Sequence, residues 1–346
     1  MSAPQEFFDE ARAAFRVAVG PGVAIRRLAI AGRTVECRFA SVALAERMLE
    51  SLRHLPEVET PPDLVIEAFD DESSGATMPP APWDVDQIGA MGVVRDFRSE
   101  SVRIVFETAF GSLSMIDLAV DVGVFWIPSV RQLQYRQSSF PFRQILAWWF
   151  APRAGALAHV AAVQRTPGRP AALLPGRGGR GKSSTALSCL IAGYGYLGDD
   201  FCVLTTPAAA GTGWVHPLFS VAKLWDSGLE RLPELRRGVL NDPTPDDPKF
   251  AVSLTRCFPE GVASIGAPVG AVLVPERVES RTSSVQACSP AVALRALAPS
   301  TMLALADADG AILRRLAAVV RDVPCHRLLL GTDRDHVVET VASLLP

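Results

Sequence analysis

A glycine-rich loop that separates a short apolar run from a helix-like run constrains the fold of this chain most. Residues 176–183 read GRGGRGKS and match the pattern GxxxxGK[ST] without a gap. The apolar run AALLP precedes the loop, and the helix-like run KSSTALSCLIAGY follows it. Glycines let backbone N–H groups curl around an anion, and a helix N-terminus adds partial positive charge there. The order strand, loop, helix predicts an α/β core that binds the phosphates of a nucleotide.

The loop pattern also assigns roles to individual residues. Lys182 is predicted to contact the β and γ phosphates, and the Ser183 hydroxyl is predicted to ligate Mg²⁺. A glycine turn that only caps a helix would need neither side chain. The cofactors expected at this site are therefore ATP and Mg²⁺, and the loop positions expected to bind the nucleotide are Gly176, Arg177, Gly178, Gly179, Arg180, Gly181, Lys182, Ser183 and Ser184.

Lysine is rare in this chain, which has only Lys182, Lys223 and Lys249 among its 34 basic residues. A lysine kept against such a bias favours a position that needs a compact ammonium rather than a planar guanidinium, although chance survival is the alternative. Lys223 lies on a strand-like run that enters a helix, and Lys249 closes the loop NDPTPDDPK. Both lysines are candidate contacts of a phosphate or of the substrate. The proline- and aspartate-rich loop is expected to act as a lid.

Two adjacent aspartates, Asp199 and Asp200, follow the loop closely along the chain. Such a pair is usually a solvated turn, but the apolar residues on both sides, YL and FCVL, argue against full exposure. The strand after the loop's helix would deliver the pair beside the phosphates. One carboxylate can hold Mg²⁺ while the other accepts the proton of an acceptor hydroxyl.

The run ALAHVAAV before the loop, the loop itself, the helix ending in GYG and the segment GDDFCVL together resemble the HPr kinase/phosphorylase family and its HPr-kinase-like serine kinase relatives. The resemblance covers residues 155–205 well and the remainder to 346 more loosely. It implies that Asp199 is the base for the acceptor hydroxyl, that Asp200 approaches the metal, and that His159 lies near the transferred phosphate. Two features depart from the family. Ser184 stands where the family has an acidic residue, and the family's phosphorolysis signature is not visible in GWVHPLFSVAKLW.

The resemblance implies an ATP-dependent kinase whose partner is a protein or peptide with a serine hydroxyl, including a ribosomally made peptide natural product. Three alternatives stay open: a kinase of a small-molecule alcohol, a nucleotide-binding regulatory module without catalysis, and an ATP-driven motor or transporter subunit. The last lacks an LSGGQ-type signature after the loop. The oligomeric state is undetermined by the sequence, and a homo-oligomer is one alternative.

The remaining sequence divides near residue 150. Residues 1–150 alternate strand-like runs at 23–30, 33–39, 101–109 and 113–120 with a helical run at 45–55, which predicts a smaller α+β domain for substrate or partner recognition. Residues 151–346 are expected to form an HPr-kinase-like P-loop domain with a mixed sheet, in which ALAHVAAV and YLGDDFCVL each read as one strand. A hairpin is expected around the turn PAAAGTG, and Trp148 and Trp149 are expected in the core.

Charge and cysteine content restrict the function class. The formal net charge is −3, so we expect neither a nucleic-acid partner nor an anionic membrane surface, which both need a basic face. The six cysteines lack CxxC pairs and are expected to be reduced and structural. The polar N-terminus and the absence of long apolar stretches predict a cytoplasmic protein.

Overall fold

The computed structural model describes residues 2–19, 23–206 and 211–345, and their contacts form two compact units. The first unit comprises the chain up to Glu50 together with Pro56–Trp149 and Leu305–Asp307. The second comprises Ser51–Leu55, Phe150–Ala304 and the chain from Ala308 onward. This division differs from a single boundary near residue 150 in two short segments. Ser51–Leu55 belongs to the second unit, and Leu305–Asp307 belongs to the first.

The first unit is built on a six-stranded mixed sheet of order β1-β2-β3-β6-β5-β4. Its elements are α1 (Ala3–Ala18), β1 (Ala24–Ile30), β2 (Arg33–Phe39), α2 (Val42–Leu49), β3 (Leu64–Asp70), α3 (Asp71–Ser74), β4 (Val102–Glu107), β5 (Ser112–Asp117), β6 (Val122–Ile127), α4 (Tyr135–Ser138) and α5 (Arg143–Phe150). Strands β2, β3 and β6 are parallel neighbours, and the other pairings are antiparallel.

Helix α1 closes one face of this sheet because its apolar side chains recur at helical spacing. Phe7, Phe8 and Phe15 are buried in one cluster with Phe69 of β3 and Met115 of β5. The four strand-like runs predicted for this part of the chain are confirmed as β1, β2, β4 and β5. The predicted helix at 45–55 begins earlier, at Val42, and ends in a 3₁₀ turn.

The second unit contains a nine-stranded sheet whose path is β10-β8-β9-β15-β12-β11-β7, with β17 beside β15 and β16 beside β17. A separate hairpin joins β13 to β14. The strands are β7 (Gly155–Ala158), β8 (Val160–Gln164), β9 (Ala171–Pro175), β10 (Gly195–Gly198), β11 (Cys202–Thr205), β12 (Trp214–His216), β13 (Val221–Leu224), β14 (Phe250–Ser253), β15 (Ala267–Arg277), β16 (Ser284–Ala287) and β17 (Cys325–Leu330). The helices are α6 (Lys182–Ile191), α7 (Asp226–Arg231), α8 (Leu254–Cys257), α9 (Pro290–Met302), α10 (Gly310–Arg321) and α11 (Arg334–Ala342).

Helices cover both faces of this sheet, so its central strands are apolar on both sides. In β9, Ala172 and Leu174 pack in a cluster with α6 and α11, whereas Ala171 and Leu173 pack in a second cluster with α9 and α10. Successive side chains of a strand point to opposite faces, and a strand buried on both faces reads as a continuous apolar run. The predicted α/β class is confirmed at this level.

Two predicted strands are wrong in the same way. The run ALAHVAAV is two strands, β7 and β8, that end on either side of His159, and YLGDDFCVL is two strands, β10 and β11, separated by residues 199–201. Strand β7 pairs antiparallel with β11, and β8 pairs antiparallel with β10. Each apolar run is therefore interrupted where its strand pairing changes, at His159 in the first run and at residues 199–201 in the second.

The smaller predictions have clear outcomes. The hairpin of β11 and β12 is present, although residues 207–210 of its turn lie outside the described residues. Trp148 and Trp149 are buried, and all six cysteines are free. No helix among residues 2–19, 23–206 and 211–345 is long and apolar enough to cross a bilayer.

Candidate active site

The glycine loop joins β9 to α6, and its backbone depends on glycine at three positions. Gly176, Gly179 and Gly181 have φ values of +151°, +81° and +108°, which side chains rarely permit. A Cβ atom on Gly181 would also lie 2.3 Å from Cδ1 of Leu330, at the end of β17. The final turn of the loop is therefore packed against the sheet, while Arg177, Gly178, Gly179 and Arg180 are exposed.

Lys182 is the first residue of α6 and is buried, with 5% of its surface exposed. Its Nζ donates a hydrogen bond of 2.7 Å to the carbonyl oxygen of Gly176, which ties the two ends of the loop together. Burial lowers the pKa of Lys182, and the carboxylates of Asp199 and Asp200 partly offset that effect. Ser183 is half-buried and Ser184 is exposed on the first turn of α6. The ammonium therefore lies within electrostatic range of the aspartate pair.

Asp199 is buried, and its two carboxylate oxygens have no hydrogen-bond partner of acceptable geometry among the described residues. Burial and the neighbouring charge of Asp200 raise the pKa of Asp199 to about 7. A contact with the Ser183 hydroxyl and the charges of Lys182 and Lys249 oppose this rise. A buried polar group without a partner is costly, so a position of this kind is more typical of a functional site than of a core.

Asp200 lies in a different environment from its neighbour. Its side chain is 26% exposed, and its Oδ1 lies 3.3 Å from Nε2 of His159. Burial alone would raise the pKa of Asp200, but the hydrogen bond and charge of His159, together with the positive charges of Lys182 and Lys249, bring that pKa below its usual value. The two adjacent carboxyls thus differ in affinity for a proton, which is the arrangement that separates a base from a permanently ionised group.

His159 is held by backbone and ring contacts at the break between β7 and β8. Its backbone N–H donates to the Thr301 hydroxyl over 3.0 Å, and its ring lies 5.5 Å from the ring of Phe201. The break faces the interruption between β10 and β11, which is why the imidazole reaches Asp200. The structure therefore brings His159 together with both aspartates and Lys182 in one cluster.

The two remaining lysines have different surroundings. The Nζ of Lys223 in β13 donates to Oδ1 of Asp247 over 2.8 Å and to the Lys249 carbonyl oxygen over 3.4 Å, and the Lys223–Asp247 pair is buried. Lys223 thus holds the loop of residues 241–249 in place. Lys249 points its Nζ over the ring of Trp225 at 5.3 Å, and its charge lowers the pKa values of both aspartates.

The cluster can be compared with the needs of a bound metal. Within the residues that the structure describes, no group of three or more His, Cys, Asp or Glu side chains is arranged to hold a metal by itself. Mg²⁺ in phosphoryl-transfer sites uses only one or two carboxylates and completes its coordination with phosphate and water oxygens. The ionised Asp200 and the Ser183 hydroxyl fit such a donor set.

Sequence reasoning missed residues around Lys249 and around the end of the glycine loop. Trp225 lies beneath Nζ of Lys249, and Arg231, Arg277 and Arg334 line a cavity along α6 that includes Gly181. The sequence does not reveal them because they lie far from the loop along the chain. A scan against protein-family models finds no match for this sequence, and a search of curated proteins finds no significant match.

Proposed function

We propose that this chain is an ATP- and Mg²⁺-dependent phosphotransferase that transfers the γ-phosphate to a hydroxyl, most simply the serine of a protein or peptide. The proposal includes a P-loop core similar to that of the HPr-kinase-like serine kinases. The observation that carries it is Asp199, a buried carboxyl without a hydrogen-bond partner and with a pKa of about 7, within electrostatic range of Lys182 at the end of a glycine loop.

The glycine loop would bind the phosphates of the donor. Its backbone is shaped by three left-handed glycines, and α6 starts directly after it, so N–H groups and the helix dipole favour an anion there. Lys182 would neutralise charge on the β and γ phosphates. Bound Mg²⁺, held by Ser183 and Asp200, would supply charge neutralisation between these phosphates.

Asp199 would act as the base that relieves the acceptor of its proton. A carboxyl with a pKa of about 7 is ionised in about half of the molecules at neutral pH, and the best catalytic base has a pKa near the working pH. As the acceptor oxygen forms its bond to the γ-phosphorus, the bond from that phosphorus to the bridging oxygen breaks and the nucleoside diphosphate leaves. The acceptor proton passes to Asp199, and His159 keeps Asp200 ionised.

The test measures binding and transfer separately. Calorimetry with Mg·ATP is expected to detect binding to the wild type and a loss of at least tenfold in affinity for Lys182→Ala. With γ-labelled ATP and a library of serine peptides, Asp199→Asn is expected to keep nucleotide binding and to lose transfer, whereas Asp246→Asn, at an exposed loop position, keeps both.

The outcomes separate the alternatives. Label on small alcohols but not on peptides would favour a small-molecule kinase. Binding without any transfer would favour a regulatory module. Absence of Mg·ATP binding by the wild type would reject the proposal altogether.

A further inference from the structure

The first unit has a cavity of about 520 Å³, and the residues that line it all belong to that unit. Successive side chains of a strand point to opposite faces of a sheet. Leu113 and Met115 of β5 pack in the cluster with α1, so Ser114 between them points to the other face, where it lines the cavity. Phe125 of β6 pairs with Ser114 and lines the cavity beside it. The sheet face opposite α1 is therefore the floor of the cavity, whose volume is typical of a small-molecule site.

The walls of the cavity come from segments outside the sheet. Met48 of α2 and Phe142, just before α5, contribute apolar surface, and the Phe142 ring lies 5.7 Å from the ring of Phe125. Phe110 in the turn between β4 and β5 and Met91 in a 3₁₀ turn complete the apolar lining. Aromatic rings and thioethers both pack favourably against a further aromatic ring. The apolar part of the cavity therefore suits a flat aromatic group.

Two of these wall residues have a backbone conformation that bulky side chains rarely adopt. Met91 and Phe142 have φ values of +59° and +56°, whereas the other described non-glycine residues with positive φ are alanines and aspartates. Burial does not explain the conformation of Met91, because its side chain is 44% exposed. Strained backbone of this kind is concentrated at ligand sites, where the surroundings hold it in place. Both strained positions thus fall on the same cavity.

Ser114 places a polar group in the floor. Its side chain belongs to a residue that is only 8% exposed, and its hydroxyl makes no hydrogen bond to another residue in the part of the chain that the structure describes. A buried hydroxyl without a partner is costly. Because a hydroxyl can both donate and accept, a polar substituent of a ligand in the cavity would supply the partner.

The charged side chains of the lining favour an anionic ligand. Arg143 lies 2.8 Å from the Glu107 carboxylate, so these two charges offset each other. Arg136 adds a second guanidinium, whose carbon lies 4.4 Å from the centre of the Phe110 ring. The lining therefore has two guanidinium groups and one carboxylate. A guanidinium matches the geometry of a carboxylate, and the exposed position of Arg136 lets a ligand reach it.

We propose that this cavity binds a small aromatic carboxylic acid that carries a polar ring substituent. The ring packs against Phe125 and Phe142, the carboxylate meets Arg136, and the substituent reaches the Ser114 hydroxyl. The proposal does not rest on the proposed function, because no residue of the second unit lines the cavity.

The experiment uses three flat probes that differ in one group at a time: para-hydroxycinnamate, cinnamate, which lacks the hydroxyl, and para-hydroxycinnamamide, which lacks the charge. Ligand-observed NMR titrations with the full chain give the dissociation constants. The wild type is expected to bind para-hydroxycinnamate at least fivefold more tightly than either other probe. Ser114→Ala should bind para-hydroxycinnamate and cinnamate within twofold of each other. Arg136→Met should bind para-hydroxycinnamate at least fivefold more weakly than the wild type and should keep its affinity for the amide.

Arg16→Met is the matched control, since Arg16 is an exposed arginine of α1, on the other side of the sheet, and does not line the cavity. It is expected to change no affinity by more than twofold. Absence of saturable binding of para-hydroxycinnamate to the wild type would overturn the proposal, and so would equal affinity for the acid and the amide. Binding that neither Ser114→Ala nor Arg136→Met alters would place the probe elsewhere and would equally overturn it.

Discussion

Nε2 of His159 lies 3.3 Å from Oδ1 of Asp200, although 41 residues separate the two along the chain. The contact exists because β7–β8 and β10–β11 are interrupted at the same level of the sheet. A side chain at either interruption is released from strand pairing and can turn toward the other. The two interruptions thereby place His159 and Asp200 together between strands whose other side chains are buried and apolar.

The first prediction concerns pH. Because the pKa of Asp199 is raised from 3.8 to about 7 in the folded state, the folded protein holds a proton that the unfolded chain releases between about pH 4 and pH 7. Stability therefore falls as pH rises through that window. Transfer is expected to rise over the upper part of the same window, as Asp199 ionises. Chemical denaturation at several pH values measures the fall, and Asp199→Asn should flatten it; an unchanged slope in that variant would assign the effect to another group.

The second prediction concerns Gly178, Gly179 and Gly181, three of the four glycines of the loop, which differ in backbone conformation and in the space available for a Cβ atom. Gly178 has ordinary backbone and open space, so Gly178→Ala is expected to bind ATP within twofold of the wild type. At Gly179 there is space for a methyl group, but the backbone is left-handed. The native conformation of the loop should therefore cost Gly179→Ala about 1–2 kcal/mol, which weakens ATP binding. Gly181→Ala adds a contact with Leu330 and should lose binding most. Titration with a fluorescent ATP analogue gives the ranking, and equal effects at all three positions would contradict it.

The third prediction concerns Lys249. Its positive charge lowers the pKa of Asp199, so Lys249→Met is expected to move the midpoint of the pH–rate profile upward. Lys249→Arg keeps the charge and should keep the midpoint. Rates of phosphoryl transfer from pH 5.5 to 9 measure both, with Arg321→Met, at an exposed site, as the control. A midpoint that stays in place in Lys249→Met would remove Lys249 from the site.

The fourth prediction concerns the buried pair of Lys223 and Asp247, whose side chains are 4% and 9% exposed. Removing one partner leaves a buried charge, so Asp247→Ala is expected to cost about 3–5 kcal/mol of unfolding free energy. Replacing both, as Lys223→Met with Asp247→Leu, should recover most of that loss. The exposed pair of Arg321 and Asp322 serves as the comparison, and Asp322→Ala should cost far less unfolding free energy than Asp247→Ala, because solvent screens an exposed pair. Urea denaturation gives all three changes in unfolding free energy, and a double variant no more stable than Asp247→Ala would contradict the prediction.

The parts of the fold that follow from local sequence were predicted well. The strand, glycine loop and helix at residues 171–191 occupy one continuous stretch whose glycines, apolar run and helix-forming residues all favour the same local structure. The same holds for β1 and β2, where short alternating runs are separated by a tight turn. In these segments the nearest neighbours along the chain supply most of the information.

The strand breaks could not be predicted because pairing partners far along the chain decide them. Ala158 pairs with Cys202 and Ala162 with Gly198, so the interruption depends on two segments together. For the same reason the sequence suggested Lys223 as a phosphate contact, whereas the structure places its ammonium against Asp247, in a loop that the sequence could not position. The cavity along α6 was also missed, since its walls combine segments from residues 181–188, 228–232, 277–278 and 330–337.

The scarcity of lysine has a practical consequence for chemical labelling. The three lysine side chains occupy three separate environments: Lys182 is buried beneath the loop, Lys223 is buried in an ion pair, and Lys249 is partly exposed beside Trp225. Lys249 is therefore the lysine side chain that an amine-directed reagent can reach, in addition to the amino terminus. A single modified peptide in a mass spectrum would then report, without any substitution, when a ligand covers this side of the cluster.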